Sequence, residues 1–413
     1  MKRYIYIVAG AVGIVIIAIG VFWFISQQRS TPGVTGTTGS LPAVGNQNTG
    51  TGGNGNGGAG SGNSSGGTGV AGSSGAPGTV KSFGVLSNDP AFDYFVDAQN
   101  NVILVQPNGT IEAVANGQVT SLSSTTIANV ISASFSYDGK KVLVSSGDPA
   151  NPQTSIFNIA SSSWTPLPQG MQSPAWAPSD SRIAYLSTVS ATGVSSVVVF
   201  DASAKKIATT TLLSLNAPDL TLRWFNKSQL ILSDRPSVFV GGSALLFDMV
   251  SKSLTPLVSE APGMEGIWEN AVATGTTGMG LVFTSDATAR GGHLTLNDLS
   301  GNVIQNLKFS TLPTKCAFAS EMIAASTTPI LFCAVPRDQD AFSFAHIPDD
   351  YNQMSLYTSD DVYLINLVSG AIGTTWSDQS QNLDVSDVKF FNNTLFFINR
   401  YDQKLYGMVI NQD

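Results

Sequence analysis

SASFSYDGKKVLVSSG (132–147) runs into TSIFNIASSSWTPLP (154–168), and the same layout returns in SPAWAPSDSRIAYLST (173–188) with SSVVVFDASAKKIATTTL (195–212). LTLRWFNKSQLILSD (220–234) with SALLFDMVSKSLTPLV (243–258) is a third copy. Each reads as a strand, a polar turn, a strand, a loop, a strand ending near Asp or Asn, a turn and a last strand. Short β-branched and aromatic runs punctuated by Gly, Asn, Asp, Ser and Pro indicate many short strands joined by tight turns. Past Val80 no segment holds a long helical period.

An aromatic residue recurs in the first strand of every copy. Phe95, Phe135, Trp176, Trp224, Trp268, Phe318 and Phe390 are spaced 40, 41, 48, 44, 50 and 72 residues apart, and the widest gap holds an insertion at 336–361. A four-stranded unit of about 40–45 residues is what one propeller blade needs. The expectation is an all-β propeller over residues 81–413 with seven four-stranded blades, six or eight being the alternatives. The aromatics would pack between blades. VSDVKFF, TLFFINR and KLYGMVI (385–410) supply only three strands, whereas KSFGVLS (81–87) is a spare strand ahead of the first full copy. Pairing the two would close the ring and remove its exposed sheet edges.

Phe135-Ser136-Tyr137-Asp138-Gly139-Lys140-Lys141 resembles the FSPDGK signature of the WD40-like (PD40) propeller repeats found in TolB, with Tyr137 where Pro is usual. Ala175-Trp176-Ala177-Pro178-Ser179-Asp180-Ser181 is a second, degenerate version. The resemblance covers most of 90–410 as a pattern, and only these two motifs are specific. TolB adds a separate N-terminal domain that has no counterpart here. The layout is also similar to that of uncharacterised membrane-anchored propellers of bacteria. The resemblance implies a fold and an extracytoplasmic compartment more than an activity.

Charge divides by region. Residues 1–80 carry Lys2, Arg3 and Arg29 and no acid, so the remainder holds 17 basic and 28 acidic residues, a net of −11. An acidic body without a Lys/Arg patch repels nucleic acid and anionic headgroups, which excludes DNA and RNA as expected partners.

Residues 4–25, YIYIVAGAVGIVIIAIGVFWFI, carry no charged side chain. As a helix this stretch would reach about 33 Å, the depth of a bilayer core. Lys2 and Arg3 precede it and only Arg29 follows, so the positive-inside bias places the N-terminus in the cytoplasm and the body outside. The rival reading is a cleaved signal peptide, but Phe22-Trp23-Phe24 stands where small residues should precede cleavage. Ala9 and Gly13 form a small-xxx-small pair of a kind common in such helices. The expected layout is a cytoplasmic stub and membrane span in 1–30 and a flexible linker in 31–80. That linker holds 18 of the 41 glycines and no charge. As a Gly-rich coil it would extend roughly 40 Å. Its Gly62-Asn63-Ser64-Ser65-Gly66 and Gly53-Asn54-Gly55-Asn56-Gly57-Gly58 match a nucleophile elbow and a dinucleotide fingerprint only in letters, for neither lies between a strand and a helix.

The chemistry-bearing residues are few. Cys316 and Cys333 lie in the first two strands of the sixth unit, and a hairpin centred at 324–325 places them opposite each other. A cross-strand disulfide or a pair of buried thiols are both compatible with that placement. His293 and His346 are the only histidines, which excludes a His-rich metal site. Asp338, Asp340, Asp349, Asp350, Asp360 and Asp361 cluster in or beside the insertion; clustered carboxylates hold Ca²⁺ in some loops, but no EF-hand spacing is present. No cofactor motif is found. A Ser/His/Asp hydrolase would need a further α/β domain for which no residues remain. A glycosidase pair of carboxylates on facing blades is not legible in a sequence.

The insertion, PRDQDAFSFAHIPDDYNQMSLYTSDD, is too aromatic for plain disorder and too long for an ordinary loop. It should emerge on the face that carries the connections between blades, either as a lid over the channel or as a binding loop formed by Phe342, Phe344, His346, Asp349, Asp350, Tyr351 and Tyr357. Three functions compete: a tethered module that binds an envelope or cell-surface protein, a receptor for an extracellular glycan or peptide, and an enzyme with a converging acidic pair in the channel.

Overall fold

Seven four-stranded antiparallel sheets surround a central channel. The computed structural model describes residues 78–411 apart from 116, 190–192, 205, 218, 270–277 and 320–328. The expected membrane segment at 4–25, and the linker up to residue 77, lie outside the described residues. Among the described residues no helix is long and apolar enough to cross a membrane.

The innermost strands of blades 1 to 7 are Asp93–Val96, Val130–Phe135, Gln172–Trp176, Leu220–Asn226, Glu265–Glu269, Cys316–Ala319 and Val385–Phe391. Every recurring aromatic lies on one of them, and the packing explains the recurrence. Phe95 meets Phe135 of the next blade at 5.8 Å between ring centroids, and Phe390 stacks on Phe332 at 5.1 Å. Trp224 Nε1 donates to the Ala175 carbonyl of blade 3 at 3.0 Å. Gly280 lies under Trp268, where a Cβ would come within 2.3 Å of the indole nitrogen. The Asp138-Gly139 turn fits the same logic. Gly139 has φ +66°, and a Cβ there would come within 2.3 Å of the Phe95 ring. The signature thus belongs to a turn pressed against the neighbouring blade's aromatic.

Ring closure occurs as the strand count predicts. Val80–Pro90 pairs antiparallel with Lys404–Ile410, giving the seventh sheet strands from both ends of the propeller. Phe83 seals this seam against Tyr406 and Trp376, at 5.5 Å from each ring. The order already begins at Gly78, whose N–H donates to the Asn411 carbonyl at 3.0 Å.

Alternating strand direction fixes two faces. Connections between blades and those between second and third strands emerge on one, the mouth face. The turns joining first to second and third to fourth strands lie on the other, the entry face, where the chain enters at Gly78. In blade 6 the second strand ends at Pro336 and the third begins at Asp360, directly opposite each other, so the insertion is 337–359, slightly shorter than the sequence reading, and leaves from the mouth face.

Cys316 and Cys333 are register partners joined by a disulfide, with Cα atoms 4.1 Å apart. Both are buried. A link across a sequence separation of 17 restricts the unfolded chain. Replacing both cysteines by Ala is expected to lower unfolding free energy by about 1–3 kcal/mol in urea titration. No change in midpoint would contradict this.

Closure carries its own expectation. A chain beginning at Pro90 leaves the seventh sheet with an unpaired edge and should lose its cooperative thermal transition, whereas one beginning at Gly78 keeps it. Superimposable melting curves would refute the dependence on this strand.

Candidate functional site at the channel mouth

The insertion is docked. Asp338 caps the short helix Gln339–Phe344 by accepting from the Ala341 N–H at 2.8 Å, and a second helical turn follows at Asp349–Asn352. Phe342, Ile347 and Tyr351 are buried in the core shared with Phe283, Leu312 and Phe309. This corrects the expectation for Phe342, which serves packing, while Tyr351 is packed in the same core and also lines the channel cavity described below. Apolar burial makes the segment a fixed part of the face.

Polar contacts tie the insertion to neighbouring blades. Asp349 accepts from Ser237 Oγ at 3.1 Å and from the Val238 N–H at 2.6 Å, in the loop between the second and third strands of blade 4. In blade 5, Arg290 donates to the Phe344 carbonyl at 2.6 Å, and Ser285 Oγ donates to that of Ile347. Arg400 of blade 7 donates to the Tyr351 carbonyl at 2.7 Å and stacks 3.6 Å from the Tyr351 ring centroid. Asp350 accepts from the His346 N–H at 2.8 Å. The clustered acids therefore do not converge on a common point. Asp338 and Asp350 cap backbone, Asp349 staples a loop, and Asp361 pairs with Arg337 at 2.7 Å. His293 begins the third strand of blade 5, with its ring 3.6 Å from Asp286.

Beneath the insertion is a buried charge cluster. Lys315, fully buried, donates to Asp360 at 2.6 Å, Asp384 at 2.7 Å and Thr358 Oγ1 at 2.8 Å. Arg400 reaches Asp384 at 2.9 Å, and the Tyr351 hydroxyl donates to the same carboxylate at 3.2 Å. Two cations thus face two carboxylates. Burial raises the Asp360 carboxyl above its usual range, against the pull of Lys315. Burial also acts to lower Lys315, but Asp360, Tyr351 and Asp384 outweigh it and hold the ammonium charged. Asp360 Oδ1 has no hydrogen-bond partner among the described residues.

Beside the docked insertion the channel opens as a cavity of about 920 Å³. Phe92, Trp268, Phe318 and Phe390 contribute its aromatic wall, and Met354 and Tyr357 of the insertion contribute its rim. Tyr357 stacks on Tyr401 at 5.4 Å, both partly exposed. Charged groups line it deeper: Arg223, Glu269, Asp387 and Lys389. Lys389 donates to Asp93 at 2.9 Å, lies 3.3 Å from Asp387, and sits 4.0 Å over the Tyr94 ring. Burial raises the Asp93 pKa to about 6; Lys389 opposes this and Asp387 adds to it. Burial lowers the Arg223 guanidinium, with Glu269 and Asp387 opposing. Exposed Asp148, Asp219, Glu260, Asp286, Asp338 and Asp340 lie on this face, against exposed Arg235, Arg290 and Lys308.

Of the anticipated contact residues, Phe344 and Tyr357 remain exposed, and His346, Asp349 and Asp350 are half-buried. Arg223, Lys389, Asp93 and Asp387 were missed. For two of them a signal exists. Arg223 and Lys389 directly precede Trp224 and Phe390, and strand alternation turns a residue beside a buried aromatic toward the channel.

Asp93 protonation is directly observable. The native state holds this proton more tightly than the unfolded chain, so its contribution to stability falls as pH rises from about 4 through about 6. Carboxyl-resolved NMR should find an Asp93 midpoint about 2 units above an ordinary aspartate, and Asp387→Asn should bring it down by removing a like charge. An Asp93 midpoint near 4 in the unaltered chain would refute the assignment.

No family model and no curated protein matches this chain. Solved structures do. An oligogalacturonate lyase from Vibrio parahaemolyticus aligns over 79% of this chain and 93% of its own, at 8% identity and a TM-score of 0.51. The β-propeller domain of the Trilobed protease from Pyrococcus furiosus aligns over 66% and 78% at 12% identity and a TM-score of 0.42. An uncharacterised protein from Listeria monocytogenes aligns over 78% and 95% at 12% identity and a TM-score of 0.45. At such identities the likeness is one of fold alone: the chain carries a seven-bladed β-propeller, and its activity has to be argued from its own residues.

Proposed function

We propose that this propeller is a binding module, displayed outside the cytoplasm on a membrane anchor and linker, that takes a protein of the envelope or cell surface at its channel mouth. The cavity of about 920 Å³ beside the docked insertion carries the reading. A concave site with an aromatic wall and a few converging charges is the usual form of a binding site. The exposed acids around it favour a partner whose contacting segment is rich in Lys or Arg, because opposite potentials steer encounter and set specificity. The anchor reading rests on the uncharged stretch 4–25 and the basic residues before it.

A small extracellular ligand, glycan or peptide, is the second reading, favoured by the aromatic wall. Asp93 and Asp387 do converge, but Lys389 bridges them, which suits charge recognition better than proton transfer.

The test is site-specific photocrosslinking in the native cell, with the probe at Phe344 or Tyr357 on the mouth face or at Tyr137 on the entry face. Adducts should form from the first two positions and carry Lys/Arg-rich peptides by mass spectrometry. Asp338→Lys with Asp340→Lys should reduce them about tenfold, the scale set by losing attraction at a charged rim. Protein adducts from Tyr137 alone would overturn the proposed site. Adducts of small mass from Tyr357 would support the ligand reading instead. Protease added to intact spheroplasts should release the propeller; its protection would overturn the topology.

A further inference from the structure

Three cations line the channel cavity: Arg223, Lys389 and Arg400. Two of them are engaged by the fold itself. Lys389 lies between Asp93 and Asp387 and also donates to the Tyr94 carbonyl at 2.8 Å. Arg400 is held by Asp384 and by the carbonyls of Leu356 and Tyr351, and stands over the Tyr351 ring. Arg223 differs. Among the described residues nothing accepts a hydrogen bond from its guanidinium or forms an ion pair with it, although its side chain is exposed and lines the cavity. Enclosure by the blades lowers it, and Glu269 and Asp387 oppose that lowering without reaching it.

Arg223 stands one residue ahead of Trp224 on the inner strand of blade 4, and Lys389 holds the matching place ahead of Phe390 in blade 7. Blades 4 and 7 lie across the seven-membered ring from each other, so a satisfied cation faces the channel on one side and an unsatisfied one on the other. The lining between them, through blades 5 and 6, includes Ile267, Trp268, Ala317 and Phe318. A cation in a cleft with low-dielectric walls attracts an anion more strongly than one on an open surface, because the walls focus its field. The planar fork of a guanidinium matches the two oxygens of a carboxylate with parallel hydrogen bonds. A phosphate dianion fits less well, since Glu269 and Asp387 are near enough to repel a second negative charge.

We infer that Arg223 anchors a carboxylate of a peptide that enters the channel from the mouth, with its apolar side chains against the aromatic wall. The carboxylate is a C-terminus or an Asp or Glu side chain, which present the same pair of oxygens. The inference deepens the protein-binding reading of the mouth and rests on it: the acidic rim takes basic residues of the partner, and the channel takes an acid that leads them. A peptide suits this lining better than an acidic glycan does, because Ile267, Phe318 and Val388 offer side chains to pack against and no hydrogen bonds for sugar hydroxyls. The body carries a net of −11, so a preference for a carboxylate has to come from a local cation.

Pools of short random peptides test this on the purified full chain. One pool has free C-termini and no Asp or Glu, a second is amidated with Asp and Glu allowed, and a third is amidated with neither. At least one of the first two should be retained about tenfold more than the third, the scale of one charge-assisted contact. Retention of the first marks a C-terminus, and of the second a side chain. Arg223→Gln should remove the difference with the melting curve unchanged, and Arg223→Lys should restore only part of it, having the charge without the fork. With the unaltered chain, sodium acetate should elute the retained pool where sodium chloride at equal ionic strength does not. Equal retention of all three pools, or a preference that survives Arg223→Gln, overturns the inference. Retention of a uronate oligomer with no preference among peptides overturns it too. A carboxylate preference at Arg223 without in-cell protein adducts from Phe344 and Tyr357 would sustain the carboxylate site and fail the protein-partner reading.

Discussion

The pairing of Val80–Pro90 with Lys404–Ile410 is the constraint from which the molecule follows. An open ring of sheets would present two edges, each a row of unpaired N–H and C=O groups. Supplying the outer strand of blade 7 from the beginning of the propeller removes both edges with one set of hydrogen bonds. It also fixes geometry. A strand that runs antiparallel to Lys404–Ile410 has to start on the entry face and finish on the mouth face, where Ala91 leads into blade 1. Which face the described chain starts from at Gly78, and which face carries the connections between blades, are consequences of that single pairing.

The mouth itself depends on a second arrangement. Between the second and third strands of blade 6 the chain must leave the sheet and return to an adjacent position. Phe342, Ile347 and Tyr351 hold the excursion down by apolar burial, but burial alone does not specify one placement. Lys315, Asp360, Asp384 and Arg400 do so, because a charge taken from water is tolerated only where its partner stands in hydrogen-bonding position. Lys315 belongs to the turn before blade 6, Asp384 to the connection into blade 7, and Arg400 to a loop of blade 7. Displacing the insertion would strip Asp384 of Thr358 and Tyr351 and leave a carboxylate short of donors. The cluster thus converts a flexible-looking loop into a rigid wall of the cavity.

Much of the fold was legible in the sequence because blade repetition writes itself at a fixed spacing. Phe95 through Phe390 could be ordered from sequence alone, since each solves the same packing problem between neighbouring blades. The closing strand was legible from a count, three strands at one end and one at the other. The site was less legible for a physical reason. Phe342 looks like a contact residue in a polar loop, and only tertiary placement shows that its ring is core. Asp360 and Asp361 look like loop acids, yet they begin a strand and pair with Lys315 and Arg337. Asp93 is separated from Asp387 and Lys389 by nearly the whole ring in sequence and meets them only because blades 1 and 7 are neighbours. A pattern read along the chain does not contain that adjacency.

The two faces differ for a reason beyond packing. Several described turns of the entry face use an Asp or Asn to satisfy their backbone N–H groups, as Asp248 and Asp298 do. Those bonds hold Asp248 and Asp298 below the usual carboxylate range, so their charges stand at the surface beside the exposed lysines. The mouth face is built from longer, irregular connections whose acids also hold backbone, Asp148 the N–H of Ala150 and Asp338 that of Ala341, while in the channel Asp93 and Asp387 are held by Lys389 because ring closure brings blades 1 and 7 together.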